Sequence, residues 1–345
     1  MRNAFRKAAL GDESELIFGK AKSAVRYGRG LVAGDGIVIP EIKFHPRRES
    51  EGDVKATSKE YVGIVKDLME KAVWLGMERV QIETEFTASD IEDPGYAREV
   101  LIAQTDLLET YKSKYGISSA LRVTVPDIRN PAGGMRNGPE VEKMFQLFED
   151  ACEHGADLVS MESIGGKEAF NHAILRQDLS QAIFSVAVLG SRDSEYIWDR
   201  IVRISRGHNV VPAGDSACGF ANTAMALAGG TRTRMISHVF AAIIRAISAV
   251  RTLVPFEMGC VGPGKDCAYE NVIVKAITGF PMSMEGKTAA SAHPSLVGNV
   301  AMAACDLWSN EQVENVTLYG GKAPQDLLEM LSYDVGLLNA SILHG

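Results

Sequence analysis

Two cysteines lie in turn-like segments that directly follow runs of sequence typical of buried strands. Cys218 follows the run NVVPAGD at residues 209–215, and Cys267 follows the run PFEMGCVG at residues 255–262. A cysteine with only a packing role is expected in an apolar interior rather than in a loop rich in Gly, Asp and Ser. These two side chains are therefore candidates for metal binding or nucleophilic chemistry.

A carboxylate in a similar position adds to the pair of thiols. Glu162 lies near the end of the run ADLVSMES at residues 156–163 and is followed by a Gly–Gly turn. Two thiolates and one carboxylate suit zinc, and a catalytic zinc site has three protein ligands with its fourth position open. Glu162, Cys218 and Cys267 are far apart in sequence and form no CxxC pair, so their spacing does not by itself indicate a metal site. On spacing alone, Glu162 is equally well explained as a solvated surface charge or as a ligand.

The other three cysteines fit the interior of the protein. Cys152 and Cys305 lie in apolar helical patterns, and Cys260 lies inside a predicted strand. Free buried cysteines behave as small apolar residues. An odd, sparse set of five cysteines in a chain of 345 residues does not indicate a disulfide framework, and it favours a reducing compartment.

The runs that carry these residues belong to a longer alternation of strand-like and helical segments. Strands that alternate with helices form parallel sheets through right-handed crossovers. Eight such repeats favour an α/β fold of the TIM type, a (β/α)8 barrel, whose active site lies at the carboxyl ends of the strands. The eight runs are predicted at residues 78–86, 120–127, 156–163, 182–190, 209–215, 255–262, 280–286 and 313–321.

The first 55 residues do not follow this repeat. We assign residues 1–55 to an N-terminal extension that caps the barrel and residues 56–345 to the catalytic barrel, as a single domain overall. The extension contains LVAGDGIVIPEIKF, in which Gly34-Asp35-Gly36 predicts a hairpin turn between two apolar runs. Counting this segment as the first of nine strands is the alternative.

Charge and hydropathy exclude several classes of partner. The formal net charge is −8 with no block of Lys or Arg, which argues against nucleic acid and an anionic membrane surface as partners. The N-terminus lacks the apolar core of a signal peptide. The most apolar stretch, residues 221–254, is interrupted by four arginines and predicts core helix rather than a bilayer span, which requires about 20 mostly apolar residues. A cytoplasmic location is expected.

Three longer motifs carry a resemblance to a known family. The segments SMESIGGKE, GDSACGFANT and GPGKDCAYEN resemble signatures of the zinc-containing subunit of methanol:corrinoid methyltransferases, the MtaB family. The resemblance extends over nearly the whole chain and includes EGKTAASAH and ACDLWSNE. It implies a barrel that binds one Zn²⁺ through Glu162, Cys218 and Cys267.

The same resemblance implies a reaction and a partner. Methanol would be the substrate, and its methyl group would pass to the cobalt(I) of a corrinoid that a partner protein carries. A homo-oligomer within that complex is also implied, as is a role in the anaerobic methanol metabolism of methanogens and acetogens.

On this interpretation the departing oxygen of methanol requires a proton. A general acid for this step would have its pKa raised by burial. The sequence does not choose among the carboxylates at or near predicted strand ends, which are Glu83, Glu85, Asp127, Asp215 and Glu285.

Other activities remain open on the residues alone. A related zinc barrel could activate a thiol or use another small methyl donor. Lys287, near a predicted strand end, could form a Schiff base as in barrel aldolases if burial lowers its pKa. A third possibility is a barrel without catalytic activity that serves only as a scaffold for the corrinoid protein.

Overall fold

The structure is a computed structural model of the 345-residue chain. It describes residues 5–44, 53–92, 94–129, 136–229, 235–265, 270–283 and 323–344. The strands in these ranges are β1 (Lys20–Tyr27), β2 (Leu31–Asp35), β3 (Glu41–Phe44), β4 (Arg79–Glu85), β5 (Ser118–Val125), β6 (Leu158–Met161) and β7 (Val211–Asp215). The α-helices are α1 (Val54–Trp74), α2 (Pro94–Tyr115), α3 (Pro139–Glu153), α4 (Lys167–Leu175), α5 (Leu179–Phe184), α6 (Ser191–Gly207), α7 (Cys218–Gly229), α8 (His238–Met258), α9 (Asn271–Thr278) and α10 (Ala323–His344).

Strands β3 to β7 form one parallel sheet in the order in which they occur along the chain. Each pairs with the next, as expected for helical crossovers between neighbouring strands. The strands are continuous runs of buried residues: seven of the eight residues of β5 are buried. Such runs are typical of a parallel sheet covered on both faces. The predicted α/β fold with a parallel sheet is therefore confirmed.

After α8 the chain makes one backbone contact with β7 and one isolated parallel bridge. Val261 N donates to Pro212 O of β7 at 3.1 Å, and Gly264 forms an isolated parallel bridge with Met282. The rest of the run at 280–286 and the whole run at 313–321 lie outside the described residues. The eight-stranded barrel therefore stays a prediction.

The prediction of a strand at residues 182–190 was wrong. This segment forms the end of α5 and a π-helical turn, Ser185–Gly190. Asp178 caps α5, and its side chain accepts a hydrogen bond from Gln181 N at 3.0 Å. A short apolar run cannot be assigned to strand or helix from periodicity alone, and here the capping residue starts a helix.

The prediction of a strand at residues 255–262 was also wrong over its first half. Helix α8 runs through Pro255 and ends at Met258, with Gly259 at its C-cap at a φ of 121°. Pro255 lies in the last turn without ending the helix there. The helix ends at Gly259, whose positive φ is a backbone conformation typical of a helix C-terminus. After Cys260 the chain bends at residues 262–263, and Gly264 forms an isolated bridge rather than part of a strand.

The N-terminal hairpin has a different turn from the predicted one. Strands β1 and β2 pair antiparallel around residues 28–30, whereas Gly34 lies within β2. Gly28 has a φ of +54°, and a Cβ on it would lie 2.6 Å from Ser119 O, so only glycine fits where this turn meets β5. Strand β3 then pairs with β4, as the nine-strand alternative allows, so the sheet begins before the assigned boundary at residue 55.

Helix α8 is the one described helix that is long and apolar enough to cross a membrane, by length and composition. It contains Arg251, which is fully buried and donates to the carbonyl oxygens of Ser163 and Ser216. Side chains of α8, α4, α5 and α7 form a second apolar cluster beside the main core. These contacts are those of a core helix.

One side chain of helix α10 satisfies two backbone groups in the N-terminal part of the chain. Asn339 Oδ1 accepts from Val38 N at 2.7 Å, and Asn339 Nδ2 donates to Val38 O at 3.0 Å. Both backbone groups of Val38, three residues before β3, are thereby satisfied by a residue 301 positions later.

Candidate metal centre

Glu162 and Cys218 lie at the same edge of the parallel sheet. Met161, the last residue of β6, is paired with Asp215, the last residue of β7. Glu162 follows β6 directly, and Cys218 begins α7 three residues after the end of β7. The carboxyl ends of neighbouring parallel strands therefore bring both segments to the edge where active sites of such folds lie.

The environment of Cys218 differs from that of the other described cysteines. Its side chain is buried, and its Sγ accepts a hydrogen bond from Asn222 Nδ2 at 3.0 Å. Cys152 and Cys260 are also buried, as the sequence predicts. Burial raises the pKa of Cys152 to about 12 and that of Cys260 well above its usual value, so both stay protonated. Cys305 lies outside the described residues.

Cys267 lies outside the described residues, but both residues that flank its segment are placed. Lys265 is fully buried, and its Nζ lies 3.4 Å from Glu162 Oε1. Glu270 is also buried, and its Oε1 accepts from Ala217 N, the residue before Cys218, at 3.2 Å. The side chains of the two residues that flank 266–269 thus reach Glu162 on one side and the residue before Cys218 on the other.

Asp215 is surrounded by hydrogen-bond donors. Its carboxylate accepts from Ser163 N at 3.0 Å, Ser163 Oγ at 2.6 Å and Trp198 Nε1 at 2.8 Å. Arg251 Nη2 lies 3.2 Å from Asp215 Oδ1 and also donates to Ser163 O at 2.6 Å. Arg251 Nη1 donates to Ser216 O at 2.7 Å. Asp215 and Arg251 therefore fix the loops after β6 and β7 to each other and to α8.

Asp127 is part of a second group of ion pairs, which contacts the loop that follows Glu162. Arg129 Nη2 lies 2.6 Å from Asp127 Oδ2 and 2.7 Å from Asp193 Oδ2. Asp127 Oδ2 also accepts from Ile164 N at 3.0 Å. Burial raises the pKa of Asp193, and Arg129 opposes that shift. This group holds the loop at residues 162–166 against α6.

Glu83 and Glu85 lie on one face of β4, since side chains two residues apart share a face. Glu83 is fully buried, and its Oε1 lies 2.8 Å from Lys265 Nζ and accepts from Thr124 Oγ1 at 2.6 Å. Glu85 is half-buried at the carboxyl end of the strand, with Lys43 Nζ 3.6 Å from its Oε2. Glu285 and Lys287 lie outside the described residues.

Three buried cations of this region were not identified from the sequence: Arg129, Arg251 and Lys265. Arg251 lies far along the chain from the carbonyl oxygens that it binds, and Arg129 lies two residues from Asp127 but 64 from Asp193, so the sequence does not mark either as a residue that joins distant segments. Lys265 does have a local signal, because it lies two residues before Cys267 in the motif GPGKDC. Lys167 was also missed; its Nζ donates to Asn171 and Thr223, and burial lowers its pKa to about 8.

One group of possible metal ligands meets elsewhere, at the C-terminal end of α3. Atoms of Asp150, Glu153 and His154 lie within 4.8 Å of one another. Arg98 Nη2 already lies 2.8 Å from Asp150 Oδ1, and His154 Nδ1 bonds to the carbonyl oxygen of Asp150. These are ordinary contacts of a helix end, so we assign no function to this group.

Gly165 marks the closest approach of the Glu162 loop to α6. A Cβ on Gly165 would lie 2.1 Å from Asp193 Cγ, and Asp193 is fixed by Arg129. We expect Gly165→Ala to lower the free energy of unfolding by about 1–3 kcal/mol. The added methyl group would force the Asp193 side chain to move, and that movement would break its ion pair with Arg129. Chemical denaturation measures the change. Gly207→Ala is the control, since a Cβ there meets no atom within 4 Å; equal effects of both variants would contradict the close contact.

Comparisons with known proteins agree with one another. A family model described as the methanol-cobalamin methyltransferase B subunit matches residues 2–345. A relative from Methanosarcina barkeri (strain Fusaro / DSM 804), named methanol–corrinoid protein co-methyltransferase, is 44% identical over 335 residues, which are 97% of this chain and 73% of the relative. A crystal structure of the methanol:cobalamin methyltransferase complex MtaBC from Methanosarcina barkeri matches with a TM-score of 0.87 and 42% identity, over 98% of this chain and 74% of that chain.

Proposed function

Since the chain belongs to the methanol-cobalamin methyltransferase B subunit family, we propose that it transfers the methyl group of methanol to the cobalt of a corrinoid held by a partner protein. The relatives named for this reaction cover nearly the whole chain. They favour methanol over the alternatives left open by the residues, which were a thiol, another methyl donor and an aldolase substrate at Lys287.

We further propose that Glu162, Cys218 and Cys267 hold one zinc ion at the carboxyl edge of the sheet. The observation that carries this proposal is the placement of the two residues that flank 266–269. Lys265 lies against Glu162, and Glu270 bonds to the residue before Cys218. One carboxylate and two thiols are donors that zinc accepts. Bound there, zinc would supply Lewis acidity toward the methanol oxygen, whose departure as hydroxide is the difficult part of the reaction.

The protein's own residues hold the loops that carry the proposed ligands. Asp215 and Arg251 fix the loops after β6 and β7, and Asp127 fixes the backbone of Ile164. Asp215, Asp127, Glu83 and Glu85 each lie against a cation. The proton donor for the departing oxygen therefore stays one of the five carboxylates considered from the sequence.

The proposal extends to the assembly and the complete fold. A closed (β/α)8 barrel would bring the ends of all its strands to one mouth, where a corrinoid protein could cover methanol and keep water from cobalt(I). A homo-oligomer within that complex and a cytoplasmic location are part of the same proposal. The family assignment and the continuation of the chain beyond β7 support it.

A methyl-transfer assay tests the proposed function. The purified chain is mixed with methanol and a reduced corrinoid protein, and absorbance follows the loss of cobalt(I) and the formation of methyl-cobalt. We expect methyl-cobalt to form with methanol and about one zinc per chain by elemental analysis, as a single three-ligand site predicts. Methyl transfer from methylated corrinoid protein to a thiol, with none from methanol, would contradict the assignment. Borohydride trapping at Lys287 in a zinc-free protein would favour the aldolase instead.

A further inference from the structure

Lys265 is a fully buried ammonium group between two carboxylates. Its Nζ lies 2.8 Å from Glu83 Oε1 and 3.4 Å from Glu162 Oε1. Both Lys265 and Glu83 have no exposed side-chain surface. A lysine in such a position keeps its place only through its charged neighbours, because an uncompensated buried charge is costly.

The Glu83 end of this arrangement is rigid. Glu83 lies within β4, and its Oε1 accepts from Thr124 Oγ1 on the neighbouring strand β5 at 2.6 Å. Arg122 Nε, also fully buried, lies 3.9 Å from Glu83 Oε2. Glu83 therefore provides a fixed anchor for the lysine inside the sheet.

The Glu162 end is less constrained by the fold itself. Glu162 follows β6 and is not part of its pairing, and its side chain is 25% exposed. Its Oε1, the atom nearest Lys265, is nevertheless buried. The exposed surface of the side chain thus lies on its other atoms, away from the contact with Lys265.

We propose that Lys265 is a positioning residue for the metal-ligand carboxylate of Glu162. It holds Oε1 against the anchor at Glu83 and leaves the second oxygen, Oε2, for the metal. The proposal rests on the zinc site proposed above. Ligand carboxylates that are oriented by a second hydrogen-bonding group bind metal more tightly, since less freedom is lost on binding.

The position of Lys265 in the sequence puts it close to a second proposed ligand. Lys265 lies two residues before Cys267. Lys265 also adds a positive charge beside a ligand set that is negative overall, with two thiolates and one carboxylate for one Zn²⁺.

Replacement of Lys265 by methionine tests the proposal through metal affinity rather than activity. We expect Lys265→Met to weaken zinc binding about 10- to 100-fold in competition with a chelator. Cobalt(II) substituted for zinc should keep the absorption that thiolate ligation produces, while the ligand-field bands shift because the carboxylate moves. Lys275→Met is the control: Lys275 is half-buried, whereas Lys265 is fully buried, and the Nζ of Lys275 donates to a backbone carbonyl, Ile17 O, at 2.7 Å.

A double variant separates positioning from simple charge balance. Lys265→Met leaves the Glu83 carboxylate buried beside Glu162, which can itself disturb folding. Glu83→Gln combined with Lys265→Met removes that charge, so we expect folding to recover while zinc affinity stays 10- to 100-fold weaker, about the loss expected for a missing orienting group. Recovery of affinity in the double variant, or wild-type affinity in Lys265→Met, would overturn the positioning role and leave the zinc site intact. Absence of zinc from the wild-type chain would overturn both proposals.

Discussion

Cys218→Ser is expected to remove zinc and methyl transfer together, with kcat lower by about three orders of magnitude. Lewis-acid stabilisation of a departing oxygen contributes several kcal/mol, and about 4 kcal/mol corresponds to a factor of about 1,000 in rate. A serine hydroxyl is a poor replacement, because the thiolate is the form that binds zinc and a hydroxyl does not ionise near neutral pH. Elemental analysis and the cobalt(I) absorbance assay measure the two effects on the same protein.

Cys152→Ser is the matched control for Cys218→Ser. Both cysteines are buried, but Cys152 lies in α3 and burial raises its pKa to about 12. We expect the control to retain zinc and activity, with at most a modest loss of stability from a buried hydroxyl. If Cys218→Ser keeps stoichiometric zinc and full activity, Cys218 is not a ligand, and the proposed centre must be abandoned.

Arg251→Met is expected to cause the largest loss of stability among substitutions near the site. Arg251 and Asp215 are both fully buried, so methionine leaves a buried carboxylate without its cation. It also leaves the carbonyl oxygens of Ser163 and Ser216 without the donors seen here. Breaking one partner of a buried ion pair costs about 3–5 kcal/mol. For a chain of this length we expect a decrease in Tm of about 4–7 °C, measured by calorimetry.

An exposed ion pair provides the control for Arg251→Met. Arg200 Nη2 lies 2.7 Å from Glu142 Oε2 on the surface, between α6 and α3. Exposed pairs contribute about 0–1 kcal/mol, so Arg200→Met should leave Tm nearly unchanged. A similar, small decrease for both variants would show that Arg251 does not hold the two loops together.

The parallel sheet could be predicted because its strands are distinct runs between clear helix signals. Strands β4, β5, β6 and β7 all lie within predicted runs or overlap them closely. Helix α3 begins at Pro139 after Gly138, at a position where proline is common because its fixed φ suits the first turn. The prediction failed where a short apolar run is compatible with either a strand or a helix. Residues 182–190 form such a run, and only the capping residue Asp178 indicates that it is helical.

The candidate site was only partly predictable for a different reason. Position after a strand marks Glu162 and Cys218, because the carboxyl edge of a parallel sheet gathers such residues whatever their separation in sequence. The side chains that hold them come from elsewhere. Arg251 is in the middle of an apolar helix, and its partners at Ser163 and Asp215 are 88 and 36 residues away. Contacts of this kind depend on how helices pack and leave no local pattern.

The pairing of Asn339 with the backbone of Val38 has a consequence for the order of folding. Loop closure over 301 residues is entropically unfavourable and must be compensated by contacts formed earlier. The segment before β3 is synthesised early, but the N–H and C=O groups of Val38 obtain these hydrogen-bond partners only after α10 has been synthesised. During translation the segment before β3 therefore completes its backbone hydrogen bonds only once α10 has been made.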